Sequence, residues 1–333
     1  MRQRNSITFI SGAATAAALA FLLLAPPGAQ AQNLQAQDLK AKNIRIVVPF
    51  PPGGTADNIA RLVVQQANAV GFKLIVENRP GAGTILGTEQ VAKAAPDGTS
   101  MLLMANSFVI NTIVRAKLPY DPFAMEPLCS LASSPQVIVV HEAAPYKTLK
   151  EFVDAARAQP GTLSFATVGP ATTQHIAGEM FKLAANINLT YVPFNGGPPA
   201  VNALLGQHVT TVMANYNEVM EQLKAGKLRA LAVASRQRLP AIPDVPTFIE
   251  AGYKDFEASA FFGVVTTPGT PKGTVAQLES LLTTALKSPD VSTKLVDQGL
   301  DITGSCGEEF RASIKRQHDL YSRAIKAAGV KIE

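Results

Sequence analysis

Short apolar runs alternate with stretches of helical periodicity along most of this chain, and that alternation limits the folds open to it. Residues 44–48 (Ile-Arg-Ile-Val-Val) precede 57–69, where Ile59, Leu62, Val63 and Ala67 recur on one helical face. The pairing repeats. Strands are predicted at 73–77, 100–104, 137–140, 163–166, 189–192, 209–213, 230–234 and 262–266, with helices at 84–94, 148–158, 172–185, 198–205 and 218–225. After Arg229, the run Ala230-Leu-Ala-Val-Ala234 is apolar throughout, as a strand covered on both faces requires. Strand–helix alternation with short connections predicts α/β domains with mostly parallel sheets. Three final helices, 272–286, 291–298 and 308–328, have no strand between them and must pack on a sheet made earlier. That predicts a discontinuous first domain, 43–143 with 263–333, and a second domain inserted at 144–262.

Residues 1–31 stand outside this pattern. Arg2 and Arg4 precede an apolar core over 13–25, and Ala29-Gln-Ala31 is an A-x-A cleavage site. This reads as a secretory signal peptide cut near Ala31, too short and wrongly flanked for a membrane span. Cleavage leaves 333 − 31 = 302 residues and a net charge of +5 − 2 = +3, since the leader carries two arginines and no acid. No Lys/Arg block stands out, so nucleic-acid binding has no support. Export makes a disulfide between Cys129 and Cys306 chemically possible. They are far apart in sequence, and nothing around them has metal or redox spacing, which favours two buried thiols.

The stretch most suggestive of chemistry is Val48-Pro-Phe-Pro-Pro-Gly-Gly-Thr-Ala-Asp57. Pro51 and Pro52 cannot donate to a sheet, so the strand stops there. Gly53 and Gly54 leave the backbone open to close approach, and the free N–H groups of a helix follow. Such a turn is a ready anion site, and a carboxylate suits it; an ordinary strand-to-helix turn fits the spacing equally. Thr167-Val-Gly169-Pro-Ala-Thr172-Thr173-Gln-His175 repeats the arrangement, with a threonine to cap the helix and hydroxyls to donate. His175 reads either as a ligand donor or as a structural histidine. Asn106-Ser107 and Asn215-Tyr216 follow strand ends, and Pro193-Phe-Asn-Gly-Gly-Pro-Pro199 is a further glycine turn before a helix. Ligands of open α/β sheets collect at the C-terminal ends of strands, so these loops can face one cleft. Each asparagine also reads as a helix cap or turn residue. Gly81-Ala-Gly83-Thr-Ile-Leu-Gly87 has the wrong spacing for a dinucleotide fingerprint. The four histidines show no metal-ligand spacing, and no G-x-S-x-G elbow is present. The sequence therefore nominates no catalytic residue, metal or cofactor.

A series of blocks in order resembles one known family over essentially the whole exported chain. They are Val47-Val-Pro-Phe-Pro-Pro-Gly-Gly-Thr-Ala-Asp57 with Ala60-Arg61, Val76-Glu-Asn-Arg-Pro-Gly-Ala-Gly83, Val91-Ala-Lys-Ala-Ala-Pro-Asp-Gly98, Leu118-Pro-Tyr-Asp-Pro122, Leu228-Arg-Ala-Leu-Ala-Val233, and Pro240-Ala-Ile-Pro-Asp-Val-Pro-Thr247 with Glu250-Ala-Gly252. The chain is similar to the Bug-type extracytoplasmic solute receptors, the substrate-binding proteins of tripartite tricarboxylate transporters. The resemblance implies a two-lobed type II periplasmic binding-protein fold with a cleft that closes on its ligand. It implies a periplasmic receptor, monomeric and not an enzyme, that captures a small carboxylate and hands it to membrane transporter subunits. A carboxylate sensor feeding a sensor kinase would use the same cleft, and an exported hydrolase is the remaining alternative. The family holds carboxylates through main-chain N–H groups, hydroxyls and water rather than arginine. By position, contacts are expected from Phe50, Pro52, Gly53, Gly54, Thr55 and Asp57 on one lobe. On the other they are expected from Thr167, Gly169, Thr172, Thr173 and His175, with Phe194, Asn195 and Gly196 near them. The strand ends add Asn106, Ser107 and Asn215. The chain departs from the family at Ala171 (often glycine), Ala214 (commonly aspartate), Thr210 (often an acid) and Phe261 (frequently tryptophan). The missing acid at Ala214 removes a negative charge near the expected cleft and favours an anionic or aromatic carboxylate over a cationic ligand.

Overall fold

The computed structural model describes residues 39–329; the signal peptide expected at 1–31 lies outside the described residues. The elements in chain order are β1 (Asn43–Val48), α1 (Thr55–Ala69), β2 (Lys73–Asn78), α2 (Ile85–Ala92), β3 (Ser100–Met104), α3 (Ser107–Val114), β4 (Glu126–His141), α4 (Leu149–Ala158), β5 (Ser164–Thr167), α5 (Thr173–Ala185), β6 (Thr190–Pro193), α6 (Gly197–Leu205), β7 (Thr211–Asn215), α7 (Tyr216–Lys224), β8 (Leu228–Val233), β9 (Ser259–Thr266), α8 (Lys272–Lys287), α9 (Pro289–Asp297), β10 (Asp301–Ile302) and α10 (Gly307–Ala328). The α/β class expected from the alternation is what forms, but the sheet is mixed rather than mostly parallel, because β4 and β9 run antiparallel to their neighbours.

The strands run in the order β2-β1-β3-β9-β4-β7-β5-β6, with β8 and β10 also pairing β4. One half is parallel at its edge, β1 pairing β2 and β3. The other half repeats this with β5 pairing β6 and β7. Antiparallel β4 joins them. Its first part, Glu126 to Pro135, pairs β9, and from Gln136 onward it pairs β7. The sequence predicts a strand only at 137–140, whereas the observed strand runs 16 residues and contains Pro127 and Pro135. The sheet absorbs Pro127 next to a register shift, and Pro135 stands where the strand changes partner.

Each half carries apolar side chains on both faces. Along β1, Ile46 and Val48 meet Ile59 and Val63 of α1 and Leu278 and Leu282 of α8, while Val47 turns to Phe108 of α3 and Phe310 of α10. That is the two-residue alternation of a strand covered on both sides. Burying each such side chain contributes about 1.5–3 kcal/mol. The C-terminal helices thus settle on the half built by β1–β3. In the other half, Ile138 and Val140 face Phe152 and Phe181, while Val137 and Val139 face Leu204 and Val219.

Two features differ from expectation. Ser107–Val114 is a helix although its residues give no one-sided stripe; it is buried through most of its length, so the stripe is not needed. Cys129 and Cys306 are not two separate thiols. They form a disulfide with an S–S distance of 2.00 Å, joining β4 to the residue before α10. The two residues also face each other as an antiparallel bridge, so the fold closes the gap that the sequence separation of 177 leaves open.

Candidate ligand-binding cleft

A helix that follows a parallel strand begins at the strand's C-terminal end. Strands β1, β3, β5, β6 and β7 therefore deliver the starts of α1, α3, α5, α6 and α7 to one place. These five helix starts surround a cleft with about 450 Å³ of empty space. Of the residues expected there, Phe50, Gly54, Thr55, Asn106, Ser107, Thr172, Thr173, Gly196 and Asn215 line it. Gly169 and Asn195 line a second recess, about 360 Å³, which shares Phe50, Thr172 and Gly196 with the cleft.

The remaining expected residues are not among those lining the cleft, each for a local reason. Asp57 is 2 % exposed, and its carboxylate is used to fold its own turn. It accepts hydrogen bonds from the Gly53 amide (3.0 Å), Arg61 Nε (2.8 Å) and Asn78 Nδ2 (2.9 Å). Burial pushes its pKa up, but hydrogen bonds from Arg61, Gly53 and Asn78 outweigh this and hold it below the ordinary carboxylate value. Gly53 sits at φ +85, a left-handed conformation that glycine adopts freely, so that its N–H turns back to Asp57. Pro52 is exposed to solvent. Thr167 bonds within its own loop, its hydroxyl 3.3 Å from both the amide and the carbonyl of Gly169. Phe194 packs on the apolar cluster of the second half. His175 is buried with its ring stacked on Tyr191 at 4.3 Å. Burial, with the Lys182 charge adding to it, pushes the imidazole down to about 4, so His175 is neutral near pH 7.

Thr172 caps α5: its hydroxyl accepts from the His175 amide (3.3 Å) and donates to the Gly169 carbonyl (2.7 Å). Ala171 before it has φ +55, where an L-residue carries roughly 1–2 kcal/mol of strain that glycine would not.

Sequence reasoning missed Glu218. It is half-buried on the first turn of α7 and, among the described residues lining the cleft, is the only one with an ionisable side chain. Its Oε2 accepts from the Asn215 amide at 3.4 Å, and its Oε1 accepts from the Thr55 hydroxyl at 3.2 Å. A Cβ on Gly197 would collide with the same carboxylate, so the start of α6 also abuts it. Burial pushes its pKa up to about 7, although hydrogen bonds from Thr55 and Asn215 act the other way. The signal was legible as Asn215-Tyr-Asn-Glu218, the spacing of a helix-capping box. Position 214 has no acid, but the cleft has one after all, which weakens the inference drawn from Ala214.

The cleft is bridged. Asn215 Nδ2 donates to Thr55 Oγ1 (2.9 Å), and Thr55 Oγ1 lies 3.0 Å from Asn217 Oδ1. The Thr55 hydroxyl has one proton, so it serves Asn217 or Glu218 at any moment. Asn215 Oδ1 in turn accepts from Gln136 (2.7 Å) and Gln174 (3.0 Å). Gly196 packs so closely on Pro51 that a Cβ there would lie 2.7 Å from Pro51 Cγ. Chemically, the walls offer amides, hydroxyls and helix N-termini to an anion, with no cationic side chain among the lining residues.

Comparison with known proteins agrees with this geometry. The family model described as "Tripartite tricarboxylate transporter family receptor" matches residues 59–330. Protein BugT of Bordetella pertussis is 30% identical over 307 residues, covering 91% of this chain and 94% of BugT. MatC of Rhodopseudomonas palustris, solved with bound malate, superposes with a TM-score of 0.80 at 28% identity, covering 85% of this chain and 98% of MatC. R. palustris Rpa4515, solved with adipate, gives 0.83 at 27% identity, covering 87% and 98%. Five helix starts converging on one cleft, in a two-lobed periplasmic binding-protein fold that these relatives share along nearly their whole length, place the chain among the tripartite tricarboxylate transporter family receptors, as a Bug-type solute receptor.

Proposed function

We propose that this receptor captures a small dicarboxylate in the periplasm and delivers it to a tripartite tricarboxylate membrane transporter. The observation that carries the reading is the convergence of five helix starts on a cleft whose lining has no cationic side chain. Such a site suits an anion held by main-chain N–H groups and hydroxyls. Malate in MatC and adipate in Rpa4515 support a ligand with two carboxylates. One carboxylate meets Gly54–Thr55 at the start of α1, and the other meets Thr172–Thr173 at the start of α5. The two lobes, 43–143 with 263–333 and 144–262, close by a hinge motion where β4 changes partner at Pro135. The receptor acts as a monomer, without a cofactor, and releases its ligand unaltered.

A thermal-shift screen over mono-, di- and tricarboxylates and aromatic acids tests this. A ligand that binds only the folded chain adds about 2.7 kcal/mol of stability at 100 times its Kd. The expected result is a raised Tm with at least one dicarboxylate, confirmed by calorimetry, with the ligand recovered chemically unchanged. No shift with any carboxylate, or recovery of a converted product, would overturn the reading.

A further inference from the structure

The cleft already contains a carboxylate. Glu218 sits where the first turns of α1, α6 and α7 meet, bonded to Thr55 and to the Asn215 amide. An incoming dicarboxylate that seeks the Thr55 end of the cleft must come close to it. Two ionised carboxylates cannot share such a place without a cation or a proton between them. Among the described residues lining the cleft, none is cationic. From α1, Asp57 and Arg61 are paired with each other behind the wall. From α5, His175 is buried against Tyr191, and Glu179 and Lys182 are paired with each other. On α7 itself, Glu221 and Lys224 are paired with each other, and Tyr216 is buried in the core. Strand β7 and helix α6 carry no ionisable side chain, and the β4 segment beside them contributes Gln136.

We propose that Glu218 couples ligand capture to proton uptake, so that the cleft binds its dicarboxylate together with one proton, which Glu218 holds and shares with the ligand. This rests on the carboxylate reading above. The proton comes from solvent, and no bond to carbon forms or breaks. In its neutral form the Glu218 carboxyl becomes a hydrogen-bond donor, so a group that would repel the ligand instead recognises it. Burial favours that neutral form and places its titration near neutrality. Capture is then strongest in a mildly acidic periplasm and weakens as the pH rises.

Calorimetry with adipate and with malate at pH 6, 7 and 8, in buffers of different ionisation enthalpy, counts the protons taken up. The wild-type protein is expected to take up about one proton per ligand at pH 8, and to lose affinity about tenfold per pH unit above pH 7. Glu218→Gln, a neutral mimic of the protonated acid, is expected to bind with no proton uptake and no pH dependence from pH 6 to 8. Wild-type binding that takes up no proton, or that strengthens with pH, overturns the inference alone. Because the proton count is made on the wild-type protein, misfolding of the variant would not shield it. Failure of every carboxylate to bind at every pH instead overturns the carboxylate reading, and this inference with it.

Discussion

The two walls of the cleft each carry an acid near the start of a helix, and they use it in opposite ways. Asp57 on α1 turns inward and ties down the glycine turn before it, with three hydrogen bonds that keep it ionised. Glu218 on α7 faces the cleft, is held by weaker and longer bonds, and titrates near neutrality. Residue type is nearly the same in both. Hydrogen-bond supply against burial decides which acid is structural and which remains available to a ligand. The first wall is thus a preformed turn built on a fixed charge, and the second contains the group that titrates near neutrality.

The sharpest way to break this comparison is to separate the walls. Gly196→Val places a branched side chain against Pro51 at a backbone angle of φ +110. Overpacking and strain together are expected to cost about 2–4 kcal/mol of closure, roughly 30- to 1000-fold in affinity by calorimetry. Less than a threefold change would mean that binding does not need this contact. Next in size is the anchor of the first wall. Asp57→Ala is expected to lower stability in urea by about 2–3 kcal/mol, at the low end for a buried pair because Arg61 is half-exposed. The sign follows from a folded pKa below the unfolded one. The wild-type advantage is full above the unfolded value near 4, and it fades as the pH falls through the lower folded value. An advantage that persists unchanged at pH 2 would remove the charge from the account.

His175 gives a smaller effect on the second wall. Its folded pKa lies below the unfolded one, so the unfolded chain gains a proton first as the pH falls. Stability should drop by about 1 kcal/mol between pH 6.5 and 5.5 in the wild type relative to His175→Phe, which keeps the stack on Tyr191 and cannot titrate. Parallel pH profiles for the two proteins would contradict this. Thr173→Ala is expected to be the mildest change. Loss of one hydroxyl from the start of α5 should weaken dicarboxylate binding by roughly 0.5–1 kcal/mol, and loss of its hydrogen bond with the Tyr321 hydroxyl should lower Tm slightly. Unaltered affinity would shift the second carboxylate contact to Thr172 and the backbone.

Much of this architecture could be read from the chain because strands and helices alternate with clear periods, and the glycine and threonine turns mark where strands hand over to helices. What escaped was whatever depends on distant parts meeting. β4 was expected only at 137–140, and its first part is held by pairing with β9, far along the chain. The Cys129–Cys306 pair needed the fold to bring the residues together. Asp57 and His175 were expected to face a ligand, since a sequence shows that a polar side chain stands in a loop but not which way it turns. Glu218 was passed over for the converse reason: at the third position of a helix it resembles an ordinary cap, and only the approach of Thr55 and Gly197 makes it part of the cleft.

The last helix carries a further consequence. The chain has six tyrosines and no tryptophan, so its ultraviolet emission comes from phenol rings alone. Tyr321 of α10 is buried, and its hydroxyl accepts a 3.0 Å hydrogen bond from Asn106 of the cleft lining and also contacts Thr173. Asn106 and Thr173 stand at the starts of helices from the two halves of the sheet. A chromophore is thereby wired to both sides of the gap, and the unlabelled protein should report the arrival of a solute by a change in tyrosine fluorescence.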